Sequence, residues 1–335
     1  MSPPVPSSGP KGPPLALYVH IPWCVRKCLY CDFNSHTLGD TLPEEAYVDT
    51  LLDDLAQDLA RLSSEPRPLV SVFIGGGTPS LFSGPAISRL LGGIRERTPL
   101  APEAEITLEA NPGTTDARRF AAYREAGVNR LSLGAQSLSD AHLRSLGRIH
   151  GPKEVHAAVA TARRAGFENL NLDLMYGLPE QTLHQAKQEL QEALGLAPGH
   201  VSYYQLTLEP NTAFHAAPPP VPGHDLASEM HAQGGRILIA SGFDHYETSA
   251  YAGPGGRCRH NLNYWTFGDY LGIGAGAHGK LTDVGGGRIE RYAKLRNPRA
   301  YLEPANRRRL TGSRRLLTEA DLRLEFAMNA LRLSE

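Results

Sequence analysis

Short apolar runs and longer segments with helical spacing alternate along most of this chain. The clearest helical segment is Glu44–Leu62, where apolar residues recur every three or four positions and therefore share one face of a helix. These residues are Tyr47, Leu51, Leu55, Leu59 and Leu62. The aspartates that lie off this stripe are Asp53, Asp54 and Asp58. The segment is therefore predicted to be an amphipathic helix.

Several apolar runs have the length and composition of buried strands. They are Leu15–Ile21, Leu69–Ile74, Ile106–Ala110, Arg130–Ala135, Leu170–Met175 and Val201–Leu206. Further helical spacing is found in Pro85–Arg97, Thr115–Ala126, Pro152–Ala165, Thr182–Leu194 and Asp225–Ala240. Strands that alternate with helices form parallel βαβ units, which predicts an α/β fold. We expect a partial (β/α)6 barrel of the TIM type, with an open doubly wound sheet as the alternative.

Three cysteines, Cys24, Cys28 and Cys31, lie within eight residues with the spacing C-x3-C-x2-C. One loop with this spacing can hold three corners of an iron–sulfur cube. Three thiolates leave one iron of a [4Fe–4S] cluster with an open position, at which an amine and a carboxylate can chelate. The methionine end of S-adenosylmethionine offers that pair, and a reduced cluster can cleave its carbon–sulfur bond. The sequence therefore predicts both cofactors.

The three cysteines have two alternative interpretations, a zinc site and a disulfide. A zinc site could combine the three thiolates with His20 or His36, but zinc ligands usually come in two separated pairs. A disulfide with a spare thiol would suit a secreted protein, and the chain shows no export signal. The iron–sulfur interpretation is therefore favoured.

Composition narrows the function modestly. The 335 residues, with 41% hydrophobic and 21% charged residues, suit a globular protein of one large domain with an appendage, or of two domains. A net charge of -1 does not indicate a nucleic-acid-binding surface. No apolar run approaches the ~20 residues of a membrane span. The proline-rich segment Met1–Pro14 is predicted to be a disordered tail, and free thiols suit the cytoplasm.

Unusual residues follow the predicted strands at their carboxyl ends, where a barrel collects its chemistry. They are the glycine run Gly75–Pro79, the segment Glu109–Gly113, Gln136, Arg148, Asp173 and the pair Tyr204 and Gln205. Singly, a glycine run is often a tight turn and a strand-end acid often caps a helix. Together they predict a site for a zwitterionic, nucleoside-like ligand beside the cysteine loop.

Several segments together resemble the radical SAM superfamily. The segments are Tyr18–Cys24, Cys31–His36, Ile74–Ser80, Leu108–Gly113, Gly147–His150, Asp173–Pro179 and His260–Trp265. Within the superfamily they are similar to the branch of oxygen-independent coproporphyrinogen III oxidase and, more closely, to its sister group, the HemW-like heme chaperones. The resemblance covers about residues 15 to 335 and implies a partial (β/α)6 barrel.

The resemblance also implies roles for individual residues. Cys24, Cys28 and Cys31 would ligate the cluster, and Tyr30 would pack over it. The implied S-adenosylmethionine site is Tyr18, Gly76, Gly77, Thr78, Glu109, Gln136, Arg148 and Asp173.

Two features favour the chaperone branch over the oxidase. The oxidase carries a further cysteine two positions after the third cluster ligand, where this chain has Phe33, and its N-terminal extension is longer. The resemblance then implies a protein that binds heme and passes it to respiratory heme proteins, with the cluster assisting dimerisation or transfer. A partner could bring it to the membrane. The alternatives are coproporphyrinogen III dehydrogenation, another radical reaction on a tetrapyrrole, or an inactive remnant.

The predicted heme ligand is His260, with Cys258 second, because histidine and thiolate both ligate heme iron and Tyr264 and Trp265 offer flat apolar surface. The alternative is a hydrogen-bonded packing histidine. The domain prediction is a tail over residues 1–14, a core over 15–245 and a C-terminal extension over 246–335. The extension is expected to contain the beginning of a winged-helix-like domain, which the family continues further.

Overall fold

The computed structural model describes residues 12–62, 67–114, 116–283 and 287–334. Its strands are β1 Leu15–Ile21, β2 Trp23–Cys24, β3 His36–Thr37, β4 Leu69–Gly76, β5 Leu100–Ala110, β6 Arg130–Gln136, β7 Asn169–Tyr176, β8 His200–Gln205, β9 Asp244–Glu247, β10 Ala250–Ala252, β11 Asp269–Ile273, β12 His278–Asp283, β13 Arg288–Lys294 and β14 Thr311–Leu316. Its α-helices are α1 Glu44–Leu59, α2 Gly84–Arg97, α3 Ala117–Ala126, α4 Asp140–Ser145, α5 Pro152–Arg164, α6 Leu183–Gly195, α7 Ala213–Ala216, α8 His224–Ala240, α9 Arg259–Trp265, α10 Pro298–Leu302 and α11 Glu319–Ala330.

The strands β1, β4, β5, β6, β7 and β8 are parallel neighbours in one sheet, in the order of the chain. A doubly wound sheet reverses its strand order at a switch point, and this order does not reverse. The predicted partial (β/α)6 barrel is therefore confirmed. Because all six strands run the same way, their carboxyl ends meet at one rim.

The sheet continues beyond the six barrel strands on both sides. Strand β11 pairs parallel with β1 and leads into the antiparallel strands β12, β13 and β14, while β10 pairs antiparallel with β8, and β9 pairs antiparallel with β10. The outer edges of β1 and β8 therefore pair with β11 and β10 rather than with each other, and the barrel stays partial. These added strands were not predicted, because most of them are short or carry several charged residues and so show no apolar run.

The six predicted helices are present, with ends close to the predicted ones. Side chains fix several starts: the Ser83 hydroxyl accepts from the Ala86 N–H at α2, and the Asp116 carboxylate accepts from the Arg119 N–H at α3. The predicted start of the third of these helices, Thr115, lies outside the described residues, as do residues 1–11 of the predicted tail. Over the described ranges, every helix is too short or too polar to cross a membrane.

Helix α1 also buries two of the three aspartates that lie off its apolar stripe, Asp54 and Asp58. The Lys294 ammonium lies 2.5 Å from an Asp54 carboxylate oxygen and 2.8 Å from one of Asp58, and all three side chains are buried. Tyr301 and Tyr292 donate further hydrogen bonds to the two carboxylates. This charged cluster joins strand β13 to helix α1.

Candidate functional site

A cavity of about 430 Å³ opens at the carboxyl ends of the barrel strands, between them and the cysteine loop. Most of the predicted cluster and cofactor residues line it. These are Cys24, Cys28, Tyr30, Cys31, Gly76, Gly77, Thr78, Glu109, Gln136, Arg148 and Asp173. Residues from the loop and from five successive parallel strands or the turns after them therefore meet at one place.

The cysteine loop is pinned at its base and at its middle. Strands β2 and β3 pair parallel, so that Cys24 lies opposite Thr37 and the loop closes on itself. The Asn34 amide donates to the carbonyl oxygens of Ala275 and Arg296, each over 2.9 Å. On the other side the Leu29 carbonyl accepts a backbone hydrogen bond of 3.0 Å from Phe214. The fold thus fixes the loop without using the thiols.

The three thiols of this loop are free and partly exposed to the cavity. Burial raises the pKa of the Cys24 and Cys31 thiols, so binding of a metal must supply the energy to deprotonate them. The Arg148 guanidinium lies 3.4 Å from the Cys28 sulfur, which favours an anionic group there. No tight group of ligands for a single metal ion occurs among the described residues. A [4Fe–4S] cluster needs its three cysteine ligands less close together than a single metal ion does, because each thiolate binds a different iron.

The glycine run packs against the backbone at the end of β1 and the start of β2. The Gly77 N–H donates to the Ile21 carbonyl and the Thr78 N–H to the Trp23 carbonyl, each over 2.7 Å. A β-carbon at Gly77 would lie 2.6 Å from the Trp23 oxygen, and one at Gly76 would lie 2.6 Å from the His20 ring. Gly76 also has a φ of +113°, which an L side chain rarely adopts. The glycines therefore allow the turn to pack beside Cys24.

Gly77→Ala is expected to push the glycine turn away from the Trp23 carbonyl and to displace the adjacent Cys24. Overpacking of this kind costs about 1–3 kcal/mol, so the midpoint of urea unfolding should fall. The protein should also retain less iron after anaerobic reconstitution. Gly39→Ala is the control, because its added methyl group would meet no atom within 4 Å. Equal iron content and stability in the two variants would contradict this account of the turn.

Two carboxylates form the inner wall of the cavity. Glu109 accepts a hydrogen bond of 3.0 Å from the Gly76 N–H, and burial together with the charge of Asp173 raises its pKa to about 8. Asp173 accepts from the Asn171 amide at 2.8 Å and from the Ser132 hydroxyl at 3.2 Å, and burial raises its pKa. Buried acids with raised pKa values are suited to a cationic group such as an ammonium.

The end of β6 holds its residues in a constrained geometry. Gln136 has a φ of +68°, a conformation that non-glycine residues seldom adopt outside functional sites. Its side-chain oxygen accepts a hydrogen bond of 2.6 Å from the Tyr204 hydroxyl, and Arg148 donates to the Gly134 carbonyl over 2.7 Å. The strand end thus presents an amide and a cation to the cavity in fixed positions.

Tyr18 is the predicted cofactor residue that lies away from this cavity. It lines a second cavity of about 240 Å³ inside the barrel, and its hydroxyl is 2.9 Å from Nδ1 of His20. The two cavities share Glu109, Ser132 and Asp173 as a common wall. Tyr18 therefore faces the inner side of that wall.

Both predicted heme residues are buried, and His260 lines the inner cavity. The ring nitrogens of His260 are each 2.9 Å from a hydroxyl, Nδ1 from Ser71 and Nε2 from Tyr264. Burial and the charge of Arg130 lower the His260 pKa to about 3. Burial raises the pKa of Cys258 to about 12, and its sulfur lies 3.5 Å from the Glu105 carboxylate. Ligation of heme iron by either side chain requires α9 to move.

Sequence reasoning left out several residues that line the outer cavity, notably Asn111, Ser132, Gly134 and Met175. Asn111 belongs to the segment that was singled out after the third predicted strand. Ser132 and Gly134 precede Gln136 at intervals of two on β6, so they share its face of the sheet. Strand alternation, counted back from a strand-end polar residue, would have found them.

Comparison with known proteins agrees with this arrangement. Residues 18–193 match the model of the radical SAM superfamily. The heme chaperone HemW of Escherichia coli strain K12 is 53% identical over 97% of this chain and 84% of its own length. The mouse protein named radical S-adenosyl methionine domain-containing protein 1, mitochondrial, is 42% identical over 87% of this chain and 65% of its own length.

A solved structure shares the fold. Coproporphyrinogen III oxidase from Escherichia coli superposes with a TM-score of 0.82 over 96% of this chain and 76% of its own, at 24% sequence identity. The barrel and the thiol loop are those of a radical SAM protein. The chain belongs to the radical SAM superfamily and, within it, to the family of the heme chaperone HemW.

Proposed function

We propose that this chain is a heme chaperone, which binds heme and delivers it to respiratory heme proteins from a radical SAM scaffold. The observation that carries the proposal is its identity of 53% to a heme chaperone over nearly the whole chain. Phe33 supports it, because the position two residues after Cys31 holds no further thiol.

In this proposal Cys24, Cys28 and Cys31 hold a [4Fe–4S] cluster at the mouth of the outer cavity. The cluster supplies an open iron and one-electron chemistry to bound S-adenosylmethionine. The chain itself provides the cation of Arg148 beside the Cys28 sulfur and the acceptor oxygens of Glu109 in the same cavity. These groups suit the carboxylate and the amine of the cofactor's methionine end respectively. Gln136 adds an amide to the same cavity.

The acceptor, the place of transfer and the assembly state belong to the proposal as well. We infer a respiratory heme protein as acceptor, met at the membrane through that partner, and a homodimer assisted by the cluster. A cytoplasmic location suits the free thiols, which a reducing compartment preserves.

The second candidate is dehydrogenation of coproporphyrinogen III, or another radical reaction on a tetrapyrrole. The likeness in fold to coproporphyrinogen III oxidase is the observation that favours this candidate, but a fold alone does not define a reaction. Anaerobic incubation of the reduced, cluster-loaded chain with coproporphyrinogen III and S-adenosylmethionine separates the two.

We expect no protoporphyrinogen beyond one equivalent per chain, measured by chromatography of the oxidised porphyrins. Titration of the same preparation with hemin should saturate near one heme per chain. Multiple turnovers of decarboxylated product would contradict the chaperone proposal, and so would the absence of heme binding.

A further inference from the structure

Three large apolar side chains are exposed around the mouth of the outer cavity. Val25 is 46% exposed, Phe33 is 60% exposed and Ile149 is 45% exposed. Phe33 lines the cavity itself, while Val25 and Ile149 line a shallow pocket beside it that shares Arg26 and Cys28. We call these three residues the apolar rim. Exposed apolar residues grouped at the entrance of a ligand cavity mark a contact surface.

Positive charge accompanies the apolar rim. Arg26 lines both the outer cavity and the shallow pocket, and its guanidinium has no hydrogen bond to any residue that the structure describes. The Lys27 ammonium lies 3.4 Å from the Phe33 carbonyl, so a second cation lies close to the backbone of Phe33. Asp32 supplies one negative charge in the same loop, so the two cations Arg26 and Lys27 outnumber the acidic side chains of segment 25–33.

The rim is held in place by the fold. Leu29, in the middle of the loop, exchanges backbone hydrogen bonds with Leu146 and Phe214, and Asn34 fixes the end of the loop. An exposed Phe33 on a loop anchored at both sides loses little freedom when it meets a ligand, which favours binding.

Heme is a flat apolar macrocycle that carries two propionates, and the rim offers the matching chemistry. Phe33, Val25 and Ile149 can cover the face of the ring, and Arg26 and Lys27 can pair with the propionates. We propose that heme docks on this rim, at the mouth of the cluster cavity, rather than on His260. This inference rests on the proposed chaperone function, and it differs from the ligand set predicted from the sequence.

The burial of His260 favours the rim over the inner cavity. Its two ring nitrogens are already hydrogen-bonded, and the inner cavity of about 240 Å³ is lined mostly by polar side chains. A macrocycle would have to displace α9 to reach the imidazole. The rim residues are accessible in the conformation observed.

The test uses the anaerobically reconstituted, cluster-loaded chain and hemin. Phe33→Ser and Ile149→Ser should each weaken hemin binding about tenfold, because each removes apolar area that the ring would cover. Phe326→Ser is the matched control, since Phe326 is 56% exposed on α11, and it should bind like the unaltered chain. Heme retained after gel filtration is measured as pyridine hemochrome, and iron and sulfide content verifies that the cluster is intact.

Charge is tested separately with Arg26→Glu. Its affinity for hemin should fall several-fold, while its affinity for hemin dimethyl ester, which lacks the propionate charges, should match that of the unaltered chain. An equal loss for the two ligands would overturn the assignment of Arg26 to the propionates.

The remaining outcomes separate the docking site from the function. If the unaltered chain binds no hemin, the chaperone proposal and the rim fail together. If it binds hemin and Phe33→Ser, Ile149→Ser and Arg26→Glu all retain full affinity, the rim is wrong, and a loss of affinity in His260→Ala then assigns heme to the inner site. If Phe33→Ser keeps hemin but abolishes self-association in sedimentation, the rim is a contact between copies of this chain.

Discussion

Cys28→Ala is expected to abolish the brown chromophore of the reconstituted protein and to reduce its iron from about four atoms per chain to almost none. The Cys28 thiol is one of the three that line the outer cavity, and two thiolates cannot hold three corners of a cube. Arg148 contacts this sulfur at 3.4 Å, so the variant also removes one contact of the guanidinium, which keeps its hydrogen bond to the Gly134 carbonyl. Iron and acid-labile sulfide, with the electron paramagnetic resonance spectrum of the reduced protein, are the measurements.

Cys258→Ala is the control for this prediction. Cys258 is buried at the start of α9, lines neither the outer cavity nor the shallow pocket beside it, and should leave the iron content unchanged. Cys24→Ala and Cys31→Ala should behave like Cys28→Ala. Zinc in place of iron in anaerobically purified protein would disprove the cluster assignment, as would a chromophore that survives Cys28→Ala.

The barrel could be predicted from the sequence because its signals are local. The apolar stripe of α1 and the strand runs depend only on residues three to four, or two, positions apart. Asp54 and Asp58 are different, since their partner Lys294 lies 240 and 236 residues further along the chain. Nothing in the neighbourhood of either aspartate indicates that a buried ammonium will meet it.

The outer cavity could be predicted to a similar degree. The cysteine spacing and the strand-end residues are local signals, and the rule for parallel barrels brings strand ends together. The orientation of His260 is not local, because it is set by Ser71, which is 189 residues earlier and lies on β4. A histidine flanked by aromatic residues reads equally well as a ligand or as a packed residue until that partner is known. The sequence shows only that Phe33 stands where the oxidase has a cysteine. Its proposed role in heme docking rests on its exposure, which only the structure reveals.

Glu109 is expected to make the affinity for S-adenosylmethionine depend on pH. Its pKa of about 8 means that the carboxyl group of the empty site carries a proton at pH 6 to 7.5. The amine of the cofactor, when it ligates iron, can donate a hydrogen bond to this side chain only after Glu109 loses its proton. Binding should therefore release a proton from Glu109 and strengthen as the pH rises through this window, by up to about tenfold per pH unit from this group. The α-amino group of the cofactor, with an ordinary pKa of about 7.7–8.0, must also lose its proton to ligate iron, which adds a second proton release in the same window.

Glu109→Gln should remove the part of this dependence that Glu109 supplies and lower the number of protons released by about one, because an amide of the same size does not titrate. At pH 7.5 its affinity should be about tenfold or more below that of the unaltered chain, since a hydrogen bond to a charged partner is lost. Glu96→Gln is the control, with a side chain exposed on α2 and away from both cavities. Calorimetry of the cluster-loaded protein in two buffers of different ionisation enthalpy counts the protons released. If Glu109→Gln has the same pH profile and releases as many protons as the unaltered chain, Glu109 does not meet the cofactor's amine, and its raised pKa reflects only burial and the charge of Asp173.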